Sequence, residues 1–218
     1  MLLNFAVIYR LMRKGAVAAL LVLALVPTVQ GQASLLANAA GALDAEQRLL
    51  FDWQVDAADR ALNAGLAVLA EGVYRDLLAV PGVAVDNVAD LQIQLAASLI
   101  AQRRFVAARS ALQSLPEEAR RDLYYLYLGV STYGNGRNVD QETLTQALGN
   151  VAESALEPEE LPWLYVLRGL QAELVGRTDQ VAAAFQQARA AAVSDAQRAF
   201  FTGLILREEI LRAPASVA

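Results

Sequence analysis

Residues 165–188 read YVLRGLQAELVGRTDQVAAAFQQA, and the spacing inside this stretch decides the fold. Tyr165, Arg168, Gly169 and Ala172 lie within about two helical turns, Gly176 interrupts, and Val181, Phe185 and Ala188 then recur at helical intervals. Outward from there the same period holds: Leu91, Leu95 and Leu99, with Ile93 and Ile100, repeat every three or four residues. Polar or glycine-containing breaks at 63–65, 102–104, 134–136 and 176–178, and prolines at 81, 116, 158 and 162, separate the periodic segments. The pattern predicts about nine helices, over 43–63, 66–79, 86–102, 105–114, 118–133, 140–155, 159–174, 178–192 and 195–212. Alanine alone is about a fifth of the 218 residues, which also favours helix over strand. The short connections predict antiparallel neighbours. Segments 91–101, 123–133 and 161–175 are apolar nearly all round, whereas 105–115 and 178–192 carry one polar face.

The skeleton of 165–188 recurs upstream. It is found at Tyr125, Leu128, Gly129 and Gly136; at Leu95, Ala96 and Leu99 with Ala108, Leu112 and Pro116; and at Ala57, Ala58 and Gly65 with Ala70, Tyr74 and Pro81. In each unit a small residue precedes the turn position by seven: 58 to 65, 96 to 103, 129 to 136 and 169 to 176. This arrangement resembles the tetratricopeptide repeat. The resemblance implies that Ala58, Ala96, Gly129 and Gly169 let helices cross closely, and that Phe185 fills the adjoining gap. It implies an all-α fold of antiparallel hairpins stacked as a short α-solenoid, about four units over residues 50–192 with 195–212 as a closing helix. The small residues are spaced 38, 33 and 40 apart, against a family period of about 34. After Gly136 the expected small and aromatic residues are missing, which marks Arg137-Asn138-Val139 as an insertion.

The first 33 residues read as a signal peptide. Arg10, Arg13 and Lys14 flank an unbroken apolar run from Ala16 to Val26, of signal-core length and shorter than a spanning helix needs; small residues follow Pro27. Cleavage fits after Gly31 or Ala33, and an uncleaved anchor is the alternative. Met12 with its basic neighbours makes a compact leader by itself, so translation from Met12 is an alternative to Met1. The expected organisation is a signal peptide at 1–33, a linker and the start of the first helix at 34–49, a repeat domain at 50–212 and a disordered tail at 213–218. The destination is the periplasm or cell envelope of a bacterium, with membrane contact only through an uncleaved leader. Beyond residue 33 there remain 15 basic and 23 acidic residues, a net charge of −8. Such a domain is a poor nucleic-acid ligand and unlike a polybasic membrane-surface protein.

The chain contains no histidine and no cysteine, which removes the usual zinc, haem and iron–sulfur sites, Ser-His-Asp and Cys-His catalysis, and disulfides. No cofactor, metal site or catalytic residue is expected. Gly134-Asn135-Gly136 follows a helix and no lysine lies beyond residue 14, so it reads as a turn rather than a phosphate loop. Glu153, Glu157, Glu159 and Glu160 straddle Pro158 at a helix junction and read as capping and solvated residues. Arg103-Arg104 and Arg120-Arg121 read as solvated pairs, and Trp53 and Trp163 as core.

The expected function is a non-catalytic protein–protein interaction scaffold. The alternatives are a structural subunit or fragment of a larger envelope assembly, with self-association included, and a helical domain accessory to a cell-wall enzyme. The resemblance implies that the inner groove runs along the first helix of each pair. Counting from each small residue gives a stripe that includes Ile93, Ile100, Leu126, Val130, Tyr133, Val166 and Leu170, preceded on the first helix by Val55, Asp59 and Leu62. Its apolar character predicts an apolar or amphipathic helical segment as the occupant.

Overall fold

The computed structural model describes residues 43–136 and 139–212, with side chains to residue 210. The expected signal peptide, most of the linker, the 137–138 pair and the expected tail lie outside the described residues. Among the described residues the chain is all α-helical. Its helices are α1 (Ala45–Asn63), α2 (Ala67–Leu78), α3 (Val85–Ala101), α4 (Phe105–Gln113), α5 (Asp122–Gly134), α6 (Gln141–Gly149), α7 (Leu161–Leu174), α8 (Thr178–Ala190) and α9 (Asp195–Arg212).

Local chemistry accounts for several boundaries. Asp44 and Gln47 bond each other's backbone N–H in a capping box that opens α1. Asp140 caps α6 through the Thr143 N–H, and Pro162 sits in the first turn of α7, where its missing N–H costs nothing. Two expected helices are shorter than the periodicity predicts. The stretch expected at 118–133 begins only at Asp122, because Arg120 and Arg121 are extended after a single 3₁₀ turn at Glu117–Ala119. The stretch expected at 140–155 stops at Gly149-Asn150, and Glu153–Ala155 forms a separate 3₁₀ turn.

The chain reverses within two residues at the left-handed positions Gly65, Arg103 and Gly176, with φ of 84°, 63° and 74°. In all three, the left-handed residue donates its N–H to the carbonyl three back and the next residue donates to the carbonyl five back. The pairs are Gly65 to Leu62 and Leu66 to Ala61, Arg103 to Ile100 and Arg104 to Leu99, Gly176 to Glu173 and Arg177 to Ala172. This is the Schellman ending of a helix, which satisfies carbonyls that would otherwise be orphaned. Gly136, at φ 80°, makes the first of these bonds, to Tyr133. These four positions are the ones seven residues beyond Ala58, Ala96, Gly129 and Gly169.

Each helix packs mainly on its neighbours in the chain, and α5 also touches both α3 and α7 directly. The last helix, α9, lies on α7 at two levels. Phe200 and Phe201 pack on Trp163, with centroids 5.7 and 5.2 Å away, and Arg207 pairs with Glu173 at 2.9 Å. One apolar core runs without a break from Phe51 in α1 to Ile205 in α9.

Among the described residues the one non-glycine left-handed residue, Arg103, is held by its neighbours. Glu71 of α2 is 8% exposed and accepts hydrogen bonds from Gln102 Nε2 at 2.7 Å and from Arg104 Nη1 at 2.8 Å, on either side of Arg103. Arg75 adds a bond at 3.0 Å, and Gln102 also donates to the Ala67 carbonyl. Burial pushes the Glu71 carboxyl up, but the bonds from Gln102, Arg75 and Arg104 together outweigh it and hold the group below its ordinary 4.5. A depressed folded-state value stabilises the fold above the unfolded value and ceases to do so as pH falls through the folded one. Glu71→Gln is therefore expected to lower stability near neutral pH by about 1–2 kcal/mol, since both arginines keep about half their surface in water. The gap from wild type should shrink below about pH 4. Urea unfolding at several pH values checks this; a gap that stays constant into acid would contradict it.

Candidate functional site

The small residues of the four hairpins sit where helices meet. Ala58 and Ala96 are fully buried, and Gly129 and Gly169 are buried within α5 and α7. A Cβ on Gly169 would lie 2.6 Å from Cε1 and 2.9 Å from Cδ1 of Phe185, so α7 and α8 touch through that ring. A Cβ on Gly129 would meet Leu148 Cδ2 of α6 at 3.3 Å and Leu167 Cδ1 of α7 at 3.5 Å. A large buried residue follows the small one by sixteen positions in three hairpins: Tyr74 after Ala58, Leu112 after Ala96 and Phe185, which faces the crossing, after Gly169. In the third it is Leu148, nineteen positions after Gly129. Helix α6 begins five residues past Gly136, whereas the other second helices begin two past their turn residue, so three extra residues shift its register. Counting from Gly136 without that shift lands on Thr145, which is why the partner of Gly129 is hidden from a fixed ruler.

The expected groove stripe is interior in the folded chain. Ile93, Ile100, Leu126, Val130, Val166 and Leu170 are all at most 3% exposed, and Tyr133 is half-buried. Burial pushes the Tyr133 phenol up, and the nearby Glu173 carboxylate adds to this against the pull of Arg207. The ends of α5, α7 and α9 thus lie side by side. An apolar stripe on a first helix is what close packing of successive first helices requires, and apart from Tyr133 and the edge of Ile93 these side chains are enclosed.

An opening remains where the stripe emerges. A cleft of about 810 Å³ is lined by α1 through Phe51, Asp52, Val55 and Asp59, and by the N-terminal half of α3, including Asp90, Leu91, Ile93 and Gln94. Its other wall comes from Arg120 to Leu123 at the start of α5 and from Ala155, Glu157 and Glu160 before α7. Phe51, Leu91 and Ile93 are buried in its floor, with half-buried Val55 and Leu123 above them.

Polar groups around the cleft are largely committed. Arg121 pairs with Asp90 at 3.5 Å and Asp86 at 3.8 Å. Arg120 donates to the Leu115 carbonyl and stacks over the Tyr124 ring, 5.4 Å from its centroid, so it is packed rather than solvated as the sequence suggests. Asp122 accepts from the Ala152 N–H, Asp59 accepts from the Tyr74 hydroxyl at 2.6 Å, and Glu160 accepts from the Glu157 N–H. Beyond the cleft, Glu153 is held below the usual carboxylate range first by the hydrogen bond from Tyr165 and then by that from Arg168. Of the two tryptophans expected in the core, Trp163 is 1% exposed but Trp53 is 59% exposed. At 100° per residue Trp53 points roughly away from the packed face of α1, which runs through Phe51, Ala58 and Leu62.

In the sequence the acidic and basic lining is scattered over α1, α3, the start of α5 and the connections before α5 and α7; assembling these residues into one cleft needs the packing of α1, α3 and α5. No protein-family model, curated protein or solved structure matches the chain.

The two crossing glycines should respond differently to a methyl group. Gly169→Ala drives a Cβ into a ring that is fully buried and cannot swing away, so a loss of about 1–3 kcal/mol is expected. Gly129→Ala meets the end of a flexible leucine and gains about 1 kcal/mol of helix propensity, so its net change should stay small. Urea unfolding of both variants measures this; equal losses would contradict the packing described.

Proposed function

We propose that the chain is an exported, non-catalytic protein–protein interaction scaffold of the bacterial cell envelope. In this reading its four hairpins and closing helix form a short tetratricopeptide-like α-solenoid, and residues 1–33 act as its signal peptide. The partner is an amphipathic helical segment that lays its apolar side on Val55 and Leu123 in the cleft. Support for the repeat comes from the left-handed turn recurring seven residues after each crossing residue. The observation that carries the binding reading is the cleft, which draws on three successive first helices and has an apolar floor with a polar rim. Arg120, Arg121, Asp90 and Asp122 engage one another or the backbone, while Asp52 and Glu157 remain exposed at the rim, an arrangement suited to recognition.

A second reading, a subunit of a larger envelope assembly, is favoured by one specific feature. Leu66, Val68 and Leu69 at the start of α2 and Val106 at the start of α4 are more than half exposed.

Site-specific photocrosslinking in the cell that makes the protein separates the two. A photoreactive residue at Asn87 in the cleft should give an adduct with a discrete envelope protein, and one at Gln187 on the outer face of α8 should not. An adduct from Val68 with none from Asn87 would favour the subunit. An adduct from Asn87 to the chain's own N-terminal segment, or none from either position, would contradict both readings.

A further inference from the structure

Resting on the cleft as the binding site, we propose that its partner is a cationic amphipathic segment, one that carries lysine or arginine beside its apolar face. Among the described residues the cleft is lined by six carboxylates, from Asp52, Asp59, Asp90, Asp122, Glu157 and Glu160, against the two guanidiniums of Arg120 and Arg121. The N-terminal ends of α3, α5 and α7 contribute about half a positive charge each. That is too little to reverse the sign of a lining in which six carboxylates stand against two guanidiniums.

Both guanidiniums are already occupied. Arg121 sits between Asp86 and Asp90, and Arg120 is tied to the Leu115 carbonyl with its face on Tyr124. Arg121 stays more than half exposed, but it is shared between two carboxylates, and Arg120 spends its donors on a backbone carbonyl, so the basic charge offered to an acidic partner is reduced. Asp52 on one wall and Glu157 on the other are exposed and have no ion-pair partner among the described residues. They flank the apolar floor, so a segment seated on Val55 and Leu123 brings its polar edges against them. An anionic segment would meet like charge there, while a cationic one is steered in, all the more so by a domain whose net charge beyond residue 33 is −8. Apolar contact supplies attraction without choosing a partner's sign; the rim supplies the choice.

Two labelled amphipathic helical peptides of equal length, one of leucine and lysine and one of leucine and glutamate, provide the probe, with binding to the full chain followed by fluorescence anisotropy. The lysine peptide is expected to bind at least about tenfold tighter at low salt, with the advantage falling as salt rises. The double variant Asp52→Asn, Glu157→Gln should cut that advantage several-fold, whereas Glu117→Gln, Glu118→Gln, an exposed acidic pair outside the cleft lining, should leave it intact. Equal binding of the two peptides, or equal effects of the two double variants, would overturn the proposal. Val55→Gln tells the two levels apart. If the peptides bind alike and Val55→Gln weakens both, the charge preference fails and the cleft stands. If Val55→Gln, still folded by circular dichroism, weakens neither, the cleft reading fails too.

Discussion

The structure turns on one recurring arrangement: seven residues beyond each close helix crossing the chain reverses at a left-handed residue, whose N–H bonds the carbonyl three back. Gly65, Arg103, Gly136 and Gly176 are these residues. With the crossing at one end and the turn at the other, the register of the second helix is set, which is why Tyr74, Leu112 and Phe185 come at a common distance. Three glycines adopt the conformation without penalty. Arg103 incurs the cost of a Cβ in the left-handed region, about 1–2 kcal/mol, and it does so where Gln102 and Arg104 both hold Glu71 of the preceding hairpin. The contact between hairpins and the strained turn support each other.

Stacking follows from the same geometry. Once each hairpin is closed, its first helix has an apolar side with no partner inside the hairpin, and α5 covers this side of both α3 and α7. Helix α9 takes the next place, with Phe200 and Phe201 on Trp163 and Arg207 on Glu173. The cleft lies at the other end of this layer, where α1 and the N-terminal half of α3 meet the two connections before α5 and α7. Those connections are the segments in which helix was expected and is interrupted, at Arg120-Arg121 and beyond Gly149. The departures from helical periodicity therefore build the walls of the opening.

Much of the fold is legible in the sequence, and particular residues show why the rest is not. The contact of Gly169 with Phe185 is the one the resemblance to the repeat implies. Leu148 does not announce its contact with Gly129, because three added residues after Gly136 displace it and only packing reveals the new register. The stripe through Leu126, Val130, Val166 and Leu170 was identifiable as one face but not as interior, since an apolar face on a first helix reads the same whether a partner or a neighbouring helix covers it. Trp53 looks like core by residue type and turns outward by its phase on α1. The cleft was out of reach for a similar reason: Asp52 and Glu157 are about a hundred residues apart and only the stacking of three hairpins brings them to one opening.

Arg103 is the sharpest point at which to test this account, because glycine adopts the left-handed turn anywhere, whereas arginine does so only where the surrounding structure imposes it. The measurement is the intraresidue amide–α proton nuclear Overhauser effect at Arg103, compared with those of residues inside α3. A left-handed residue brings these two protons close together, so the account predicts a cross-peak clearly stronger than those of the helix, and equally strong ones at Gly65 and Gly176. A cross-peak at Arg103 no stronger than those within α3 would mean that the second hairpin closes by a different turn, and the common geometry of the four hairpins would be contradicted.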